Sequence, residues 1–229
     1  MPDGTAAVHS DDVALMDALR LGDGDAAALL MQRHNRTLWR IARGILKDDG
    51  EAEEAVQDTW LRAFATANAW RGEASLGTWL ARIAINEALR RAERRHPTEE
   101  LDPIADLLPV DHPGSATMAA PAGPEHAAAR AEIGRMVEQA IDTLSMPFRV
   151  VFMMRVVEQM SIEETSIALG IPVATVKTRL HRANEQLRAT LGGAFATVLE
   201  GSFPFGGTRC ARLTNAVLVR LPGNVPRLD

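Results

Sequence analysis

Between positions 175 and 182, inside the stretch IPVATVKTRLHRANEQL, the chain places Lys177, Arg179, His181 and Arg182, with Thr175 and Thr178 among them. Cations and hydroxyls at this spacing can reach phosphate oxygens and base edges if their helix enters a major groove. A second set precedes it. Arg82, Asn86 and Arg90 recur at i, i+4 and i+8, and Arg91, Arg94 and Arg95 continue the basic end. An asparagine amide both donates and accepts, so it can pair with the edge of an unstacked base. A third set is Glu54, Gln57, Asp58 and Leu61, at i, i+3, i+4 and i+7. An acidic and amide face with one apolar residue suits a basic helical partner, although a plain solvated stripe has the same pattern.

Covalent chemistry finds no support. There is no GxxxxGK[ST] phosphate loop, no HExxH pair and no nucleophile constellation. Cys210 is the only cysteine, and no Cys/His cluster has metal spacing, so neither an internal disulfide nor a metal site is expected. No cofactor is expected either, and the chain reads as a binding protein rather than an enzyme. Its formal net charge is -5 and its pI near 5.7. DNA affinity needs a local basic face, not a basic protein, and an acidic remainder keeps non-specific attraction to phosphate low.

The elements that must carry these residues read as helices. Alanine is plentiful, runs of Val, Ile and Thr are short, and no Tyr is present. Four helices are expected over residues 10 to 96. The first, DDVALMDALRLGD, ends at Gly22, and the second, DAAALLMQRHNRTLWRIARGILKD, runs on to stop before Gly50. In the third, Val56, Trp60, Ala63, Phe64 and Ala67 form one stripe. The fourth, LGTWLARIAINEALRRAERR, is apolar over most of its circumference and should be wedged among the others. Between the third and fourth lies ANAWRGEASLG, where Gly72 and Gly77 permit tight turns. Trp70 beside Arg71 is either an exposed platform on which an unpaired base stacks or a packed residue. Trp79 is expected in the core.

Residues 97 to 125 hold six acids, six prolines and no Lys or Arg, and read as a flexible linker. Such a coil spans about 30 Å on average, comparable with a DNA turn of about 34 Å. Helices resume over 126 to 192. There Ser161 with Glu164 forms a capping box, Gly170 ends a short helix and Pro172 starts the next. Ile162, Ala168, Leu169, Ile171, Val176 and Leu180 are the expected core of this helix-turn-helix. His181 has no second ligand one turn away and does not read as metal-binding. Beyond 192, TRCARLTNAVLVRL is an amphipathic helix with Cys210, Leu213, Val217 and Leu221 on one side. Arg209, Arg212 and Arg220 project elsewhere, and Phe195, Phe203 and Phe205 lie upstream. So much apolar surface either packs on the chain's own domains or serves regulation, and a thiol on that stripe reads as inert.

Three segments, EEAVQDTWLRAF, WRGEASLGTWLARIAINEALRRAERR and LSMPFRVVFMMRVVEQMSIEETSIALGIPVATVKTRLHRANEQL, occur in this order across the linker. Together they resemble a bacterial RNA polymerase sigma factor of the extracytoplasmic-function group. The resemblance implies an all-α protein of two helical domains: region 2 over 1–96 and region 4 over 126–192. The linker is 97–125 and a C-terminal extension follows over 193–229. It implies core RNA polymerase and promoter DNA as partners, and an anti-sigma factor as regulator. By resemblance, Glu54, Gln57, Asp58 and Leu61 dock on the polymerase. Trp70, Arg71, Asn86, Arg90, Arg91 and Arg94 would hold the melted proximal element, Asn86 against a flipped base. Thr175, Lys177, Thr178, Arg179, His181 and Arg182 would face the distal element. Arg90 departs from the smaller polar residue sometimes found at its position.

The start, MPDGTAAVHSDD, lacks a basic region and an apolar core, so no signal peptide is expected. No apolar run approaches the roughly 20 residues of a membrane helix, and a soluble cytoplasmic protein is expected. The alternative is a helix-turn-helix regulator outside the polymerase, with 10–96 as a sensing or dimerisation domain.

Overall fold

The structure is a computed structural model, and it describes residues 4–95, 124–191 and 203–221. All regular structure among the described residues is helical. The helices are α1 (Gly4–Arg20), α2 (Gly24–Leu46), α3 (Asp49–Ala65), α4 (Leu76–Arg95), α5 (Pro124–Thr143), α6 (Met146–Phe152), α7 (Ile162–Leu169), α8 (Val173–Leu191) and α9 (Gly207–Leu218). The chain forms two compact units, one of residues 1–99 with 205–229, the other of residues 100–204. The linker expected at 97–125 lies outside the described residues up to position 123, and Pro124 opens α5.

In the first unit, local capping sets the breaks between helices. Asp23 caps α2 by accepting from Asp25 N (2.9 Å) and Ala26 N (3.2 Å). The end of α2 differs from expectation. Lys47, not a glycine, adopts the left-handed conformation (φ 56°) and its N–H bonds Arg43 O. Asp48 then caps α3 through Glu51 N (2.9 Å), which leaves Gly50 inside the first turn of α3 rather than at a stop.

α4 packs on both α2 and α3 and also touches α1. Leu76, Leu80, Ala81, Ala84, Ile85 and Ala88 are its buried apolar positions, Thr78 and Glu87 are buried beside them, and Trp79 is only half-buried. Small alanines on α4 let the helices approach closely, while Leu30, Leu38, Trp39, Ile41 and Trp60 supply the bulk. The one buried asparagine of this core, Asn35, is satisfied: its Oδ1 accepts from Trp60 Nε1 at 2.7 Å.

α9 completes this unit. It lies against α2 and α3, with Leu213 and Val217 fully buried. Phe205 stacks on Trp39 with centroids 5.0 Å apart, and the Arg209 guanidinium sits 4.6 Å from the centre of the Trp39 ring. Asn35 Nδ2 donates to Thr214 Oγ1 (3.1 Å) and reaches Cys210 Sγ (3.4 Å). Of the two outcomes expected for the tail, packing on the chain's own domain is the observed one for α9; Phe195 lies outside the described residues.

The second unit places α5, α6 and α7 around α8. Val137, Ile141, Leu144, Val151, Phe152, Met154, Val176, Ala183 and Leu187 are its core. Buried Arg149 donates to Leu144 O, satisfying a carbonyl at the end of α5. The segment expected as one helix from Pro147 is not uniform. α6 passes into a π-helical turn over Met153–Val157, closed by Glu158 N to Met153 O at 2.9 Å. Gln159 then turns with φ 54°.

Candidate nucleic-acid and polymerase interface

The helix-turn-helix is built as its residues dictate. Ser161 Oγ accepts from Glu164 N (3.0 Å), and Glu164 Oε2 accepts from Ser161 N (2.8 Å). Gly170 takes the left-handed conformation (φ 66°) at the end of α7, and Ile171 N returns to Ser166 O at 3.2 Å. Pro172 sits just before α8, its carbonyl accepting from Val176 N (3.1 Å). Ala168, Val176 and Leu180 are buried between the helices, and Ile162, Leu169 and Ile171 are half-buried.

That arrangement leaves Lys177 and Arg182 exposed on α8, with Thr175, Thr178, Arg179 and His181 half-buried around them. Thr178 Oγ1 donates back to Ala174 O (3.0 Å). His181 Nε2 lies 3.5 Å from Glu185, one turn on. Arg179 is more enclosed than a simple surface residue. Burial pulls its guanidinium below the usual arginine range, and its Nε has no hydrogen-bond partner among the described residues.

In the first unit the loop between α3 and α4 is held from two sides. Arg20, at the end of α1, donates through Nη2 to Ala67 O (3.0 Å) and Trp70 O (2.7 Å). Trp70 Nε1 donates to Ala74 O (3.1 Å), and the ring is only 5% exposed. Of the two readings of Trp70, the packed one is observed: its N–H finds a carbonyl within its own loop and the residue is buried. Arg71 is exposed beside it, and Gly72 takes φ 76°. Ser75 Oγ caps the start of α4 through Thr78 N (3.2 Å).

Along α4, Arg82, Asn86 and Arg94 are exposed. Arg90 is half-buried and pairs with Glu87 (2.8 Å), which also takes Arg62 (3.0 Å). Arg91 turns the other way. Its Nη1 meets Glu51 Oε2 (3.1 Å) and Glu54 Oε2 (2.8 Å), and its Nη2 meets Asp58 Oδ2 (2.7 Å). It differs in this from the other arginines expected to face DNA, for the carboxylates of α3 draw it into the α3–α4 contact. Burial works to lower its pKa, but Asp58, Glu54 and Glu51 together raise it well above the usual arginine range. On α3, Glu54 is exposed and Gln57, Asp58 and Leu61 are half-buried.

Sequence reasoning missed the Arg20 clamp and the inward turn of Arg91. The only available signal for the latter was its i, i+3 and i+7 carboxylate stripe on α3, a face that needs a cation from elsewhere.

Comparison with known proteins now decides the family. Residues 30–98 match the model of Sigma-70 region 2, and residues 134–187 that of Sigma-70 region 4. The chain is 32% identical over 183 residues to the ECF RNA polymerase sigma factor SigM of Mycobacterium tuberculosis, covering 79% of this chain and 85% of SigM. It belongs to the ECF sigma factors of RNA polymerase. A further relative is the ECF sigma factor SigW of Bacillus subtilis, 29% identical over 76% of this chain and 92% of SigW. Among solved structures, CnrH in complex with the cytosolic domain of CnrY shares the fold (TM-score 0.55, 23% identity, 78% of this chain and 95% of that one). So does the sigma factor RpoE in complex with the anti-sigma factor NepR from Bartonella quintana (TM-score 0.52, 22% identity, 72% of this chain and 94% of that one). The family assigns the chain to transcription initiation at promoters, in association with RNA polymerase. No helix among the described residues is long and apolar enough to cross a membrane. The α9 segment lies beyond both family models.

Proposed function

We propose that this sigma factor acts in the cytoplasm by binding alone, through three surfaces on two domains, region 2 over 1–96 and region 4 over 126–192. The α3 face of Glu54, Gln57, Asp58 and Leu61 docks on core RNA polymerase. Arg71, Asn86, Arg90 and Arg94, with Arg82, hold the melted proximal promoter element, Asn86 taking the edge of an unstacked base. Lys177 and Arg182, flanked by Thr175, Thr178, Arg179 and His181, engage the distal element in the major groove. Trp70 shapes the loop that presents Arg71 instead of stacking on a base. Two solved structures of similar fold are complexes, one of CnrH with the cytosolic domain of CnrY and one of a sigma factor with an anti-sigma factor, and a regulator of the latter kind is the reading for this chain too.

The observation that carries this proposal is that the sequence match to an ECF sigma factor, at 32% identity, extends over 183 residues, more than either helical unit alone contains. A stand-alone regulator would need only the helix-turn-helix. The test is co-migration of the full chain with purified bacterial core RNA polymerase on size exclusion. Binding is expected, with loss on reversing Glu54 and Asp58 to Lys; a folded chain that fails to co-migrate overturns the reading.

A further inference from the structure

The inference concerns Arg91 and rests on the reading that the Glu54–Leu61 face docks on polymerase. Glu51, Glu54 and Asp58 recur at i, i+3 and i+7 along α3, so their carboxylates share one stripe and repel one another. A stripe of this kind in water would spread its side chains over many rotamers. Here one guanidinium from α4 touches all three, at 2.7 to 3.1 Å, and Arg95 approaches Glu51 from the outer edge at 3.7 Å. The Arg91 side chain is only 18% exposed, while Glu54 is 62% and Asp58 42% exposed. The cation therefore sits beneath the carboxylates, which keep faces open to solvent. A planar fork spreads its donors far enough to meet carboxylates from three positions along α3, whereas the three donors of a lysine ammonium radiate from one atom.

We propose that Arg91 is a positioning residue for polymerase docking: it fixes the rotamers of Glu54 and Asp58 so that the acidic face is ordered before the partner arrives. Ordering side chains at the moment of association weakens binding, and a face already ordered avoids that penalty. The opposite outcome has an equally definite physical basis. Arg91 cancels one of the three negative charges, so if charge alone governed docking to a basic partner, removing Arg91 would tighten it. The two effects have opposite signs, which makes the affinity decisive.

The experiment uses the full chain and core RNA polymerase, measuring Kd for wild type, Arg91→Met, Glu54→Gln/Asp58→Asn, and the triple variant. Thermal unfolding of each variant reports folding. Arg91→Met is expected to weaken binding about tenfold, the loss expected if two side chains must be ordered on association. In the Glu54→Gln/Asp58→Asn background the same substitution should change affinity little, because it acts through those carboxylates. A merely structural Arg91 would instead lose the same factor in both backgrounds, in step with the unfolding temperature. Should Arg91→Met unfold the chain, Arg91→Lys keeps the charge and loses the fork, and a several-fold weakening is still expected. Unchanged or tighter binding by a folded Arg91 variant overturns the inference. If Glu54→Gln/Asp58→Asn itself leaves affinity unchanged, the docking reading fails first and this inference fails with it.

Discussion

Replacing Leu213 by alanine tests whether α9 is an integral part of the first unit. Leu213 is 1% exposed and Val217 fully buried, in the helix that lies on α2 and α3. The polar contacts of α9 look more numerous: Arg209 meets Glu53 (2.8 Å) and Asp49 (3.1 Å), and Arg212 meets Glu53 (2.7 Å). They are the weaker part. Arg212 is 68% exposed and Asp49 54% exposed, so the pairs that include them contribute about 0–1 kcal/mol each, while in the more enclosed Arg209–Glu53 pair desolvation offsets much of the attraction. Truncating a buried leucine costs about 2–5 kcal/mol, because a cavity remains where the methyls stood. With about 3 kcal/mol as the central value, unfolding of a unit this size should fall by on the order of 10 °C. Asn215, exposed on the same helix, is the control, and Asn215→Ala should stay within about 0.5 kcal/mol of wild type. Circular dichroism melts report the global change, and native-state hydrogen exchange across 207–218 locates it. Equal, near-zero effects for Leu213→Ala and Asn215→Ala would refute the placement of apolar burial above the ion pairs.

Two further outcomes follow from local geometry. Ser161→Ala removes the acceptor for Glu164 N and should destabilise the second unit by about 1 kcal/mol, read as a shift in urea midpoint; Ser161→Asp should recover most of it. Asp12 governs an acid-dependent loss in the first unit. Its burial alone would raise the carboxyl pKa, but the neighbouring His34, 3.4 Å away, and the hydrogen bond and charge of Arg33 (3.1 Å) outweigh burial and hold it below 3.8. With Asp11 also near Arg33 (3.6 Å), the stabilisation from Asp12 is fully present above the unfolded value and is lost as pH falls through the lower folded one. Urea melts should therefore show Asp12→Asn less stable than wild type at pH 6, with the gap narrowing below about pH 4; a gap constant with pH would contradict the sign.

Local patterns were sufficient for much of this protein. Ser161 and Glu164, three residues apart, announce the capping box because both partners lie within one helical turn. Gly170 and the apolar positions around it predict the bend between α7 and α8 for the same reason. The nearly all-round apolar character of residues 76–95 predicts a central helix, since every face must find a neighbour. The amphipathic spacing of Leu213 and Val217 shows that α9 needs a partner, but spacing cannot say which surface supplies it. The tertiary structure chose α2 and α3, where Trp39 offers a ring for Phe205 and Asn35 an amide for Thr214. The end of α2 was legible too: Asp48 and Glu51 stand three residues apart, as Ser161 and Glu164 do, and their cap places the break before Gly50.

The site divides in the same way. Sequence alone determined that Lys177 and Arg182 stand exposed on α8, because their exposure follows from burying Val176 and Leu180 on the opposite side of one helix. It could not determine the fate of Trp70 and Arg91. Both are decided by partners distant in sequence or by the path of a loop: Arg20 and Ala74 turn Trp70 inward, and three carboxylates on α3 capture Arg91 from α4. A helical period ranks the faces of a single helix. Only packing between helices tells which exposed-looking charge already has its counter-charge.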